Sequence, residues 1–223
     1  WSYADVLPYF RRSEHNERLA EAYHGRGGPL NVADPRSPSG FTELWLKAAE
    51  ERGHRRNADF NGALQEGIGL YQLTQKNGER WNAAAAFLTP NLGRPNLTVL
   101  TQAQATRIAL EQRRAVGVEY RKDGKTWTVR ARREVILSAG ALQSPQLLLL
   151  SGIGDAAALS ALGITPVVDL PGVGRNLRDH VDFVFAYESR RSDLMGLMPA
   201  DIARDVGGAF RYWRKRRGIF ASN

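Results

Sequence analysis

From Asn96 onward the hydropathy of the chain changes period. LTVLTQAQATRIAL, AVGVEYRK and KTWTVRAR alternate apolar with polar residues and are rich in Val, Ile, Thr and Trp. A period of two marks half-buried strands, because successive side chains leave opposite faces of an extended backbone. The breaks at Glu111–Arg114 and Asp123-Gly124 have the length and composition of hairpin turns. Strands joined so closely must pair antiparallel, so this stretch is expected to be a β-meander. A further run, EVILSAG, is apolar without alternation and is expected to be a buried strand.

The flanks read differently. SYADVLPYFRRSE suggests a helix capped by Ser2, with Asp5 at the third helical position and Pro8 as an awkward interior residue. PLNV is a short strand within a turn-rich loop. FTELWLKAAEERG is a helix capped by Ser39 or Thr42, with Phe41, Leu44, Trp45 and Ala48 as its apolar stripe and Gly53 as its stop. RWNAAAAFLTP is a helix ended by Pro90. After residue 155 come a helix (AAALSALG), a short strand (TPVVDL), an alternating strand from His180 to Tyr187, a polar loop and a basic amphipathic helix, DIARDVGGAFRYWRKR. Helices and strands mix without a regular βαβ repeat, so the fold class expected is mixed α+β.

Composition bounds the function. The 223 residues, 43% hydrophobic and 24% charged, are those of an ordinary globular protein able to bury a core. No apolar run approaches the roughly 18 residues of a membrane span, and no signal-peptide pattern is visible. With no cysteine, disulfides, thiolate catalysis and Cys-ligated metals are excluded. His15, His24, His54 and His180 lack metal-ligand spacing, so no metal is expected. The net charge of +8 is mostly scattered Arg, with one dense cluster at Arg211, Arg214, Lys215, Arg216 and Arg217. That cluster reads as a solvated helix face or as a docking face for anionic membrane. No nucleic-acid motif accompanies it, and no nucleic-acid partner is expected. The chain opens on WSYADVLPYF without Met and stops at GIFASN, and reads as a piece of a longer protein.

Gly152-Ile153-Gly154-Asp155-Ala156-Ala157 fits the loose dinucleotide pattern G-x-G-x-x-G/A. In a phosphate loop those glycines join a strand to the helix whose N-terminus receives the pyrophosphate. Here they follow a helix candidate, 144–151, with Ser144 as N-cap, Pro145 at the first position and Gly152 as its stop. Leu147–Leu150 would cover that helix nearly all round, which implies burial on several sides. The better cofactor candidate lies upstream, where Glu134–Leu137 runs into Ser138-Ala139-Gly140-Ala141. Small residues after a buried strand admit the close approach of a ligand, or simply of another backbone segment.

VILSAGALQSPQLLLLSGIG closely resembles the second signature of the glucose–methanol–choline (GMC) family of flavin-dependent alcohol oxidoreductases. YHGRGGPLNV, DFNG, NGER, RPNLTVLT, RAVGVEY and LPGVGRNLRDH resemble further landmarks of that family, so the likeness spans essentially the whole chain. It implies FAD as cofactor and oxidation of an alcohol by hydride transfer to the flavin, with the family's catalytic His C-terminal to this sequence. It further implies that 96–155 is part of the FAD-binding domain, and that 1–95, with connecting segments, and 156–223 are portions of the substrate-binding domain.

By the same resemblance Ala105 is placed against the adenine, and Ala139 and Gly140 where a strand end packs close to the cofactor. His180 and Asp182 lie near the substrate cavity. Two residues apart on a strand, they would share one face; the alternatives are a buried hydrogen-bonded Asp179-His180 pair and a solvent-facing Asp182. Asp182 stands where choline-oxidising members carry Glu, and the residues after it resemble bacterial aliphatic-alcohol or polyethylene-glycol dehydrogenases. The expected substrate is therefore a primary aliphatic alcohol, with choline as the alternative. A non-catalytic binding or membrane-docking module is the alternative of another class. A cytoplasmic location, peripheral to the inner membrane where the basic helix docks, completes these expectations.

Overall fold

Ser2 starts the first helix, α1 (Tyr3–Ser13), in the computed structural model, which describes residues 1–223 except 21, 186, 188, 190, 192–198, 222 and 223. The Ser2 hydroxyl accepts the Asp5 N–H while the Asp5 carboxylate accepts the Ser2 N–H at 2.8 Å. This reciprocal pair satisfies two donors that a helix start otherwise leaves open. The chain forms two compact units, one of residues 1–98 with 187–223, the other of residues 99–186.

In the first unit, β1 (Glu14–Asn16) leaves α1 directly and pairs parallel with β2 (Leu30–Val32), the strand expected at PLNV. Helix α2 (Gly40–Glu51) is capped by Ser39, whose hydroxyl accepts the Thr42 N–H. The stripe expected to be buried, Phe41, Leu44, Trp45 and Ala48, is exposed; Leu46 is buried, with Thr42 and Ala49 half-buried beside it. Periodicity marks an apolar side of a helix, but only the neighbouring elements decide which side they cover. A hairpin, β3 (Gln75–Lys76) and β4 (Glu79–Arg80), follows. Ala84–Leu88 forms a π-helical turn that passes into a 3-10 turn, Thr89–Asn91, so Pro90 lies within the helical stretch rather than beyond it.

The second unit holds the expected meander. β5 (Gln104–Glu111), β6 (Arg114–Lys122) and β7 (Lys125–Arg130) pair antiparallel in chain order. Both hairpins turn through left-handed residues, Gln112 in one and Asp123 with Gly124 in the other. Helix α3 (Gly140–Leu150) follows, then β8 (Ile153–Gly154), α4 (Ala156–Ala161) and β9 (Val168–Asp169), with β8 and β9 parallel. In the first unit, α5 (Pro199–Lys215) realises the basic helix, and Arg214 and Lys215 lie in its last turn.

Two expected strands are absent. Glu134–Leu137 carries no strand, and Ile136 is 77% exposed. Residues 180–185 and 187 likewise carry none, while Ala186 and the polar loop at 192–198 lie outside the described residues. A strand exists only with a hydrogen-bonded neighbour, and among the described residues no strand lies beside either segment. Helix α3, expected to be buried on several sides, is covered along one part of its surface. Leu147 is buried and Leu148 and Leu149 half-buried, but Leu142 and Leu150 are exposed. Buried apolar side chains among the described residues are few: Ala33, Leu46, Ala86, Ile108, Leu147, Leu159 and Ala221.

Candidate functional site

Helix α3 begins earlier than its Ser-Pro pair suggests. Ala139 is the N-cap and Gly140 enters with φ of +88°, a conformation a side chain resists. Ser144, expected as the cap, lies inside the helix, and its hydroxyl reaches back to accept the Ala139 N–H at 3.0 Å. Pro145 is likewise interior. Ala139 supplies no side-chain oxygen, so no side chain caps this helix start. Ser138, Ala139 and Gly140 are small and exposed, and the space a Cβ on Gly140 would enter is open for 4 Å. A flat ring can therefore come close to this backbone, as the resemblance requires of a flavin.

At its other end α3 is bound to the meander. Ser151 is fully buried; its hydroxyl donates to the Leu147 carbonyl at 2.6 Å and accepts the Ile108 N–H at 2.8 Å. Ile108 belongs to β5, which also carries Ala105. Ala105 is exposed, pairs with Tyr120 of β6, and borders an irregularity in the register before Arg107. Thus Ala105, Ala139 and Gly140 stand on two elements joined through Ser151.

Gly152 ends α3, as its place in the sequence indicates. Its φ is +82°, and a Cβ there would lie 2.6 Å from the Thr165 carbonyl. The second half of the motif is closed to phosphate by its own carboxylate. Asp155 caps α4 and accepts the Ala158 N–H at 2.9 Å. That hydrogen bond, helped by Arg175 at 3.3 Å, holds the Asp155 carboxyl below its ordinary pKa. A fixed negative charge thus occupies the position an anion would need.

His180 and Asp182 are both exposed and lie in the same unit as α3, but no strand aligns their side chains. The Asp179 carboxylate accepts the His180 N–H at 2.8 Å, a local backbone bond rather than a buried side-chain pair.

In the other unit the fold assembles a polar cluster that sequence spacing did not reveal. His24, 5% exposed, places Nδ1 3.1 Å from Glu14 Oε1 and Nε2 3.0 Å from Asp59 Oδ2. Burial is the largest influence on its pKa and lowers it, but the two carboxylates outweigh burial and the net direction is upward. Asn16, fully buried, donates to Glu14 at 3.0 Å and to Gln72 at 2.7 Å. A cavity of about 790 Å³ opens beside His24, walled by Tyr3, Leu7, Phe10, Tyr23 and Phe60. Both His24 ring nitrogens face carboxylates, and the Asn16 amide nitrogen lies 3.2 Å from Nδ1, so the ring is engaged on both edges. It ties β1 to the 23–28 loop and the 57–62 loop through its two ring nitrogens. The signal was present in YHGRGG and DFNG, but nothing along the chain connects residues 14, 24 and 59.

A family model described as GMC oxidoreductase matches residues 1–182. An "alcohol dehydrogenase [acceptor]" of Pseudomonas putida is 42% identical over 226 residues, covering 100% of this chain and 41% of that protein. An "oxygen-dependent choline dehydrogenase" of Sinorhizobium medicae is 45% identical over 220 residues, covering 98% of this chain and 40% of that protein. Among solved structures, an FAD-dependent oxidoreductase from Chaetomium thermophilum superimposes with a TM-score of 0.85 at 27% identity, over 100% of this chain and 41% of that one. The chain therefore spans about 40% of the length of the curated relatives it matches.

Proposed function

The chain belongs to the GMC oxidoreductase family, a family of FAD-dependent enzymes, and from that premise we propose that the protein carrying it oxidises a primary aliphatic alcohol to the aldehyde. The observation that carries this reading is the start of α3, where three small exposed residues, an uncapped helix N-terminus and open space beyond Gly140 coincide. When bound, the flavin supplies the acceptor for the hydride leaving the alcohol carbon. Ala139 and Gly140 contribute the absence of bulk, which sets how near the ring can sit. Ala105, exposed on β5, offers backbone groups at the irregular edge of the meander for the adenine end.

His180 and Asp182 are the residues this chain brings toward substrate. Their exposure leaves both free to face a cavity completed elsewhere in the protein. Identities of 42% and 45% to alcohol and choline dehydrogenases lie too close together to choose between substrates. Asp182 favours the uncharged alcohol: its carboxylate is one methylene shorter than Glu and reaches less far toward a quaternary ammonium.

The full-length protein is expected to be yellow and to reduce an artificial acceptor faster with medium-chain primary alcohols than with choline. A colourless protein without flavin absorbance would refute the enzyme reading, and a preference for choline would refute the substrate. Gly140→Val, adding bulk at the flavin approach, is expected to lower flavin content. Asp182→Ala is expected to retain flavin and change KM.

A further inference from the structure

Helix α5 carries an apolar stripe that stands exposed among the described residues. Ile202, Val206, Phe210 and Trp213, spaced i, i+4, i+8 and i+11, are 53%, 67%, 61% and 71% exposed. That spacing keeps all four on one side of a helix. The side turned toward the protein is a different one. Asp205, Gly208, Tyr212 and Arg216 are half-buried there. Arg216 pairs with Glu79 at 2.8 Å and lies over the Tyr212 ring, so the helix is anchored with its stripe outward. The two large rings, Phe210 and Trp213, have centroids 6.0 Å apart and form one exposed aromatic patch.

The charges around the stripe are of one sign toward its C-terminal end. Arg211, Arg214, Lys215 and Arg217 are exposed, while Asp201 and Asp205 lie toward the other end of the helix. Apolar and aromatic residues on one side with cations around them are the pattern of a helix that lies in a membrane interface. Trp suits that boundary because its ring is apolar and its N–H can remain wet. No described helix is long and apolar enough to cross a membrane, so the contact is with the surface. We infer that α5 docks this protein on an anionic lipid surface, with Phe210 and Trp213 entering the headgroup region and Arg211, Arg214 and Arg217 against lipid phosphates. The inference stands apart from the flavin reading, because it uses none of the residues near α3.

The test is co-sedimentation of the full-length protein with vesicles of phosphatidylglycerol and phosphatidylcholine, compared with phosphatidylcholine alone. Binding is expected only to the anionic vesicles and is expected to weaken in raised salt. Phe210→Ser with Trp213→Ser is expected to reduce binding to the phosphatidylcholine level. Arg211→Gln, Arg214→Gln and Arg217→Gln are expected to lower partitioning about fivefold per charge removed. All variants are expected to keep the flavin absorbance of the parent, which separates lost docking from lost folding. A parent protein that binds neither vesicle overturns the inference and leaves the stripe to another part of the polypeptide or a second copy. Binding that survives both sets of substitutions assigns the contact to another surface and overturns it equally.

Discussion

His24 carries a carboxylate against each ring nitrogen, and that arrangement makes the stability of the first unit depend on pH. The folded protein raises the proton affinity of His24 above its ordinary value of 6.5. A group shifted in this direction stabilises the fold while it is protonated in both states. That contribution disappears as pH rises through the folded-state value. The melting temperature of the parent is therefore expected to exceed that of His24→Gln most clearly near about pH 6, where the ordinary imidazole begins to titrate. The gap should narrow on the alkaline side. A gap that widens with pH would contradict the ionic tie. Next to it, Gly25 leaves no room for a side chain, because a Cβ there would fall on the Arg11 carbonyl. Gly25→Ala is expected to cost roughly 1–3 kcal/mol in urea unfolding, as overpacking does elsewhere. At this scale the sequence displays the residues but not their meeting: Glu14, His24 and Asp59 look like unrelated polar positions until two loops bring them together.

At the scale of elements, what was legible were those whose cause is local. The Ser2–Asp5 box, the Ser39 cap, the two hairpin turns of the meander and the stop at Gly152 each arise from residues within a few positions of one another. Segments 134–137 and 180–187 have the apolar run and the alternation of strands, yet hydropathy cannot supply the hydrogen-bonded neighbour a strand requires. The start of α3 was misplaced for a related reason. Small residues at 138–140 leave the first turn free to form early, and Ser144 serves the Ala139 N–H from within the helix. The joint between α3 and β5 rests on Ser151, a member of the signature whose partner, Ile108, lies 43 residues earlier in the chain. Ser151→Ala removes the hydroxyl oxygen that accepts the buried Ile108 N–H. The loss is expected to be about 1–3 kcal/mol, the range for leaving a buried donor unsatisfied, and is measurable by urea unfolding.

For the whole molecule, the first unit is built from both ends of the chain. Gln75 donates to the Ala221 carbonyl at 3.1 Å, and the Gly218 N–H donates to the Ser37 hydroxyl at 3.0 Å. Gln75→Ala is expected to speed amide hydrogen exchange around 218–221 while leaving β5–β7 of the other unit unchanged; equal acceleration in the meander would show that the two units open together. The sequence by itself determined the meander, the Ser2 and Ser39 caps and the family, because each depends on residues close together or on a long contiguous signature. Only the tertiary structure decided which faces are covered, that residues 187–223 join 1–98, and that His24 sits between two carboxylates. Those outcomes rest on contacts between residues far apart in the chain, and local hydropathy records which side chains seek burial but not what they will be buried against.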